Sequence, residues 1–212
     1  MKKITTLLIV FLLFGGFQIL AQDLVNLPKP EKEGGKALME ALSERHSSRS
    51  YADKELSKQQ LSNLLWAAFG VNRTESGKRT APTSHDVRDI EIYAVMKKGA
   101  FLYLPEQNAL KKVVDKDIRN VTGKQKFVKN AALNLVYVSD FSKYESDNEQ
   151  ALKMTAGTHC GFIGQNVYLY CASEGLATVV RGQRDTDELR AALRLRPDQH
   201  VVLAQTVGCP AK

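Results

Sequence analysis

The chain has 212 residues, 43% of them hydrophobic and 25% charged, with 14 Gly and 6 Pro, an apolar content that supports a packed core and excludes disordered and fibrous classes. Its formal charge is +7, but the Lys and Arg residues are scattered, without a basic block or an aromatic ladder, so no nucleic-acid partner is expected. Cys160, Cys171 and Cys209 are an odd count that cannot complete a disulfide framework, and neither they nor His46, His85, His159 and His200 have zinc spacing, so no metal site is expected.

In chain order, Met1-Lys2-Lys3, the nearly all-apolar run from Ile4 to Leu20 and the small residue Ala21 form the pattern of a secretory signal peptide over residues 1–21. Export, to a periplasmic location in the simplest case, follows from that pattern, with no stable membrane insertion once the segment is removed. Uncleaved, it becomes a membrane anchor, because about 17 apolar residues approach spanning length. Residues 22–35 carry Pro28, Pro30, Gly34 and Gly35 among charges and read as an extended lead-in, which leaves a domain over residues 36–212.

Leu38 and Leu42 with flanking Ala predict a short amphipathic helix over residues 35–44. Ser57 and Gln60 form a capping-box signature ahead of a stripe of Leu61, Leu64, Leu65, Ala68 and Phe69, closed by Gly70. The polar segment 72–85 is too long for a simple turn and is a candidate binding loop. Alternation predicts a strand over 89–96, a hairpin from 100–104 and 109–114, and a buried strand over 131–139. From Asp147 the pattern is helical. Its part 160–172 is apolar on every side except Gln165 and Asn166, which predicts a central buried helix in which Gly161 and Gly164 allow close approach. A strand over 175–180, a helix over 185–195 begun by Asp185 or Thr186, and a last strand over 200–207 complete the chain. This order predicts an α+β fold with a mixed sheet and flanking helices, not a βαβ series. The chain has no G-x-G-x-x-G, Walker A, G-x-S-x-G or H-E-x-x-H motif.

Four short constellations carry candidate chemistry. Arg45-His46-Ser47-Ser48-Arg49 offers guanidinium, imidazole and hydroxyl donors suited to a phosphate monoester, or else forms a solvated turn. Ala81-Pro82-Thr83-Ser84 is a stiff loop of small residues suited to the edge of a planar ligand. Gln165 and Asn166, read as buried amides, need partners that a ligand or a second subunit can supply. Arg181-Gly182 ends a strand where Gly lets its N–H approach a ligand and Arg adds charge. Phe162, Tyr168 and Tyr170 read as core.

Taken together, these pieces resemble the nitroreductase superfamily of FMN-dependent oxidoreductases. The box at 45–49 resembles the family's phosphate-binding start, the boxes at 64–70, 77–84 and 89–93 are similar to the SagB-type thiazoline and oxazoline dehydrogenase branch, and 161–166, 175–182 and 207–210 resemble the family's C-terminal half. The resemblance implies an α/β sandwich, an intertwined homodimer and FMN at the subunit interface. It implies that Arg45, Ser47 and Arg49 hold the phosphate and ribityl chain beside His46. It further implies that Ala81, Pro82, Thr83, Ser84 and Asp86 lie along the isoalloxazine, that Gln165 contacts it, and that the Arg181-Gly182 backbone faces flavin N5. The flavin carries the chemistry. Asp86 stands where many relatives have Asn, which places an anion beside the ring. Three activities fit the resemblance: electron transfer to a nitro, quinone or similar small acceptor with NAD(P)H as donor, oxidation of a peptide-like substrate, and redox-silent flavin binding. Export separates the chain from the bulk of cellular NAD(P)H.

Overall fold

The computed structural model describes residues 24–146, 148–182 and 186–211, so the expected signal peptide over 1–21 lies outside the described residues. Its strands are β1 (Leu24–Asn26), β2 (Val71–Arg73), β3 (Lys78–Arg79), β4 (Ile90–Met96), β5 (Gly99–Leu104), β6 (Ala109–Val114), β7 (Leu133–Asp140), β8 (Ala177–Gly182) and β9 (Gln199–Gly208). Its α-helices are α1 (Leu38–Glu44), α2 (Lys58–Phe69), α3 (Glu149–Glu174) and α4 (Asp187–Leu193). Seven strands form one sheet in the order β1-β6-β5-β4-β7-β9-β8. Every pairing in it is antiparallel, so the α+β class is as expected while the sheet is antiparallel and not mixed.

The sheet is covered on both faces. On one, α2 and α3 lay Leu64, Leu65, Phe69, Ile163 and Val167 against Ile92, Leu135 and Tyr137. On the other, Leu189 and Leu193 of α4 join Tyr93, Val136 and Val138. Strand β7 runs through the middle with all eight residues buried, including Asn134, Ser139 and Asp140, which are hydrogen-bonded there.

Local signals explain most of the boundaries. The Ser57 hydroxyl accepts from Gln60 N–H at 3.1 Å and the Gln60 side chain accepts from Ser57 N–H at 3.0 Å, a closed capping box at the start of α2. Helix α1 starts at Leu38 and not at residue 35, because Gly34 and Gly35 have φ of 93° and 75°, outside the right-handed helical region. The expected loop over 72–85 contains the small β2–β3 pair, turned at Gly77 with φ 64°. Thr186 caps α4 through Leu189 N–H at 3.2 Å, while Asp185 lies outside the described residues. That helix ends at Leu193, where Arg194 takes a left-handed conformation.

The largest departure concerns α3. Its inner stripe of Leu152, Ala156, Cys160, Ile163, Val167 and Cys171 is buried at helical spacing, but Met154 is 74% and Phe162 43% exposed, and Gln165 is exposed with them. The helix is therefore half-buried and not central. It rests on one sheet face, and no described element covers its outer side. Cys160 and Cys171 are eleven residues apart on the inner stripe, about 16 Å along the axis, and both are free thiols.

Candidate functional site

The segment 45–49 begins where Arg45 leaves helical geometry, at φ −58° and ψ 119°, and turns the chain toward β8. Ser48 N–H donates to the Thr178 carbonyl at 2.9 Å, which fastens the segment to that strand. Tyr168 of α3 makes the second attachment. Its phenol oxygen accepts from Val180 N–H at 2.9 Å and meets the Ser47 hydroxyl at 2.7 Å, while the Arg45 guanidinium sits 5.2 Å from its ring centroid. His46 donates from Nδ1 to the Glu44 carbonyl at 2.8 Å and stays exposed. Neither Arg45 nor the exposed Arg49 forms an ion pair among the described residues. Two permanent cations and a serine hydroxyl thus stand together without a carboxylate to neutralise them, a donor set that suits a phosphate.

The loop 81–86 is fixed from both ends. Before it, Arg79 is buried, donating to the Phe69 carbonyl at 3.2 Å and pairing with Glu106, and Thr80 N–H donates to the Gly70 carbonyl at 2.9 Å. Ala81 is buried beneath the loop. Beyond it, His159 Nε2 accepts from Ser84 N–H at 2.8 Å, which places the imidazole proton on Nδ1, donated to Asp89 Oδ1 at 2.6 Å. The Ser139 hydroxyl donates to the other Asp89 oxygen at 2.5 Å. All three side chains are buried.

This chain holds a backbone that would otherwise relax. His85, Asp86 and Arg88 have φ of 48°, 55° and 50°, left-handed conformations that cost non-glycine residues about 1 kcal/mol or more each. The Thr83 hydroxyl accepts from Arg88 N–H at 3.1 Å, and Arg88 clasps Asp86 through both carboxylate oxygens, at 3.1 and 2.5 Å. The Arg88 hydrogen bond keeps the Asp86 carboxyl below its usual range. The anion expected beside the ring is therefore already paired.

Two other sequence expectations change. Gln165 is not a buried amide; it is exposed, off the inner stripe by which α3 packs on the sheet. Arg181 does not turn its charge outward. Its guanidinium is buried, donating to Thr206 Oγ1 at 2.9 Å, the Thr122 carbonyl at 2.8 Å and Asn134 Oδ1 at 3.3 Å. Burial lowers its pKa to about 10, so it stays protonated at neutral pH and braces residues 119–125 against the sheet. Gly182, one residue on, is exposed with nothing within 4 Å of a Cβ position, and it borders a cavity of about 320 Å³ with Val121, Gly123, Gln125 and Thr186.

Helix α3 orders these parts. His159, which holds the 81–86 loop, Gln165, and Tyr168, which holds the 45–49 segment, follow one another over about 14 Å of its axis. Among the principal cavities of the described residues, none encloses them all. His159, Asp89 and Ser139 escape the sequence reading because they meet only in the fold, across 70 and 50 residues. The available signal was a histidine on the inner stripe of α3, where burial demands a partner. Tyr168, read as core, is half-buried and makes both of its hydrogen bonds to site segments.

The Nitroreductase family model matches residues 42–209. A nitroreductase homologue of Ralstonia eutropha JMP134, known from its crystal structure, is 36% identical, with a TM-score of 0.84 over 89% of this chain and 90% of that one. A nitroreductase homologue of Methanocaldococcus jannaschii is 27% identical over 196 residues, 88% of this chain and 97% of the relative. A chain of the Escherichia coli microcin synthetase McbBCD complex shares the fold, with a TM-score of 0.67 at 18% identity, over 98% of this chain and 85% of that one.

Proposed function

The chain belongs to the nitroreductase family, and from that premise we propose that it is an FMN-dependent oxidoreductase passing electrons to a nitro, quinone or similar small acceptor. The observation that carries this reading is the pair of guanidiniums without carboxylate partners, Arg45 and Arg49, beside Ser47 and tied to β8 and α3. Arg45, Ser47 and Arg49 would bind the phosphate and ribityl chain, with His46 at their edge. Ala81, Pro82, Thr83, Ser84 and Asp86 would border the ring, Gln165 would reach it from α3, and the open Gly182 backbone would offer its N–H. Arg181 serves this arrangement by bracing the strand and not by touching the cofactor. Bound FMN supplies two-electron transfer, with NAD(P)H as the fitting donor class. The protein's part is to bind, orient and hold the loop; the His159 proton stays on Nδ1 toward Asp89.

The same reading includes a homodimer. The exposed apolar residues Leu38, Met39 and Leu42 of α1 and Met154 and Phe162 of α3 suit burial against a second copy, and Gly157 and Gly161 leave open space on α3 for close approach. The signal-peptide pattern of residues 1–21 supports export. Among the described residues no helix is long and apolar enough to cross a membrane. The boxes at 64–70, 77–84 and 89–93 favour a second reading, a SagB-type dehydrogenase acting on a peptide-like substrate. A substrate panel separates the two: turnover of nitro compounds or quinones supports the first, and turnover only of azoline-containing peptides supports the second.

The test is an FMN titration of purified residues 22–212, read by the cofactor's visible absorbance and by sedimentation. We expect one FMN per chain in a dimer, and at least tenfold weaker retention after combined Arg45→Ala and Arg49→Ala substitution in a chain of unchanged circular dichroism. Failure to retain FMN at micromolar concentration, or retention unaffected by the double substitution, overturns the reading.

A further inference from the structure

A separate cavity lies at the other end of the sheet. Asp89 precedes β4 and Met96 ends it, so about 24 Å of extended chain separates the loop-holding histidine pair from this second site. The cavity measures about 250 Å³, with walls that include Val25, Leu27, Leu56, Met96, Phe101 and Leu133. Phe101 and Leu133 are buried members of the main core, and the other four pack against it, so the floor is a continuation of packed apolar structure. None of the residues expected to hold FMN lines it.

The rim has the opposite character. Five cations, Lys54, Lys58, Lys97, Lys98 and Arg119, surround the mouth with two carboxylates, Asp53 and Glu55. Glu55 pairs with Lys98 at 3.3 Å, and Arg119 is held by Asp117 and by the Ala131 carbonyl. Lys54 and Lys58 form no ion pair among the described residues. An apolar floor beneath spare cations is complementary to a molecule with an apolar body and one negative end. Size narrows the class, since a cavity of about 150 Å³ holds benzene and this one therefore takes about ten non-hydrogen atoms. A bilayer surface or a folded partner cannot enter a space of that size.

We propose that this cavity binds a small amphipathic carboxylate, with its hydrocarbon part on Met96, Phe101 and Leu133 and its carboxylate at Lys54 and Lys58. The site stands independently of the flavin reading.

The probe is 4-phenylbutyrate, titrated calorimetrically into the full domain with and without FMN, with 4-phenylbutan-1-ol as the neutral control. Selective methyl labelling of methionine reports the location, with Met96 assigned by Met96→Leu. Combined Lys54→Glu and Lys58→Glu substitution removes the spare charge without threatening the fold, because both side chains are exposed and a carboxylate at position 58 suits the first turn of α2. We expect saturable one-to-one binding, a shifted Met96 methyl signal, and at least tenfold weaker binding for both the alcohol and the double variant. Absence of saturation at millimolar probe, equal binding of alcohol and acid, an unmoved Met96 signal, or displacement by FMN each overturns the proposal.

Discussion

The two segments that border the candidate site are held in different ways. Residues 45–49 keep ordinary backbone angles at Arg45, present side chains to solvent, and are fastened by hydrogen bonds from Ser48 and Tyr168. Residues 83–88 contain three left-handed non-glycine residues and rest, through Ser84 N–H, on the buried chain of His159, Asp89 and Ser139. In the proposed site the first segment would supply charge for recognition and the second shape. Substitutions in the first should change binding more than stability, and those under the second should do the reverse.

The largest expected effect is on the shape side. Asp89→Ala leaves the buried His159 N–H and Ser139 hydroxyl without an acceptor and should destabilise the fold by about 3 kcal/mol, read from urea unfolding. Loss of FMN in that variant should follow unfolding or loop disorder; a fully stable Asp89→Ala protein would break the distinction. His159→Gln, which keeps a side chain able to accept from Ser84 N–H, should lose less stability than His159→Ala in the same assay.

On the recognition side, Tyr168→Phe removes the hydroxyl shared by Ser47 and Val180. We expect about 1 kcal/mol of lost stability and a several-fold weaker FMN complex, with the Arg45 ring contact retained. The smallest effect belongs to Asp86. Its folded pKa lies below the ordinary 3.8, so the Arg88 pair is present above that value and is lost as pH falls through the depressed pKa. An exposed pair contributes little, so Asp86→Asn should slightly flatten the acid side of the stability curve and raise the bound flavin's midpoint potential only modestly. A large rise would show that Arg88 does not screen the carboxylate.

Short-range physics made much of this molecule readable. The Ser57 capping box, the alternation in β4 and the largely apolar stretch that becomes β7 each act within a few residues, and the structure agrees with them. The candidate segments stand out by residue type, donors at 45–49 and small, stiff residues at 81–84. What joins them does not: His159 meets Asp89 across 70 residues and Tyr168 meets Ser47 across 121. Arg181 misled because its acceptors come from residues 47 to 59 positions earlier and from Thr206 on the neighbouring strand, so its inward course has no local signature. Helix α3 misled for another reason. Apolar residues on all sides of 160–172 predict burial within one chain, whereas Phe162 faces outward.

The thiols of α3 share the chemical consequence of its packing. Burial raises the Cys160 and Cys171 pKa values and keeps both sulfurs unionised, and no disulfide joins either of them. Only Cys209 is half-exposed. The inner stripe of α3 thus keeps two thiols packed as apolar side chains, shielded from thiolate chemistry by the same sheet contacts that seat the helix.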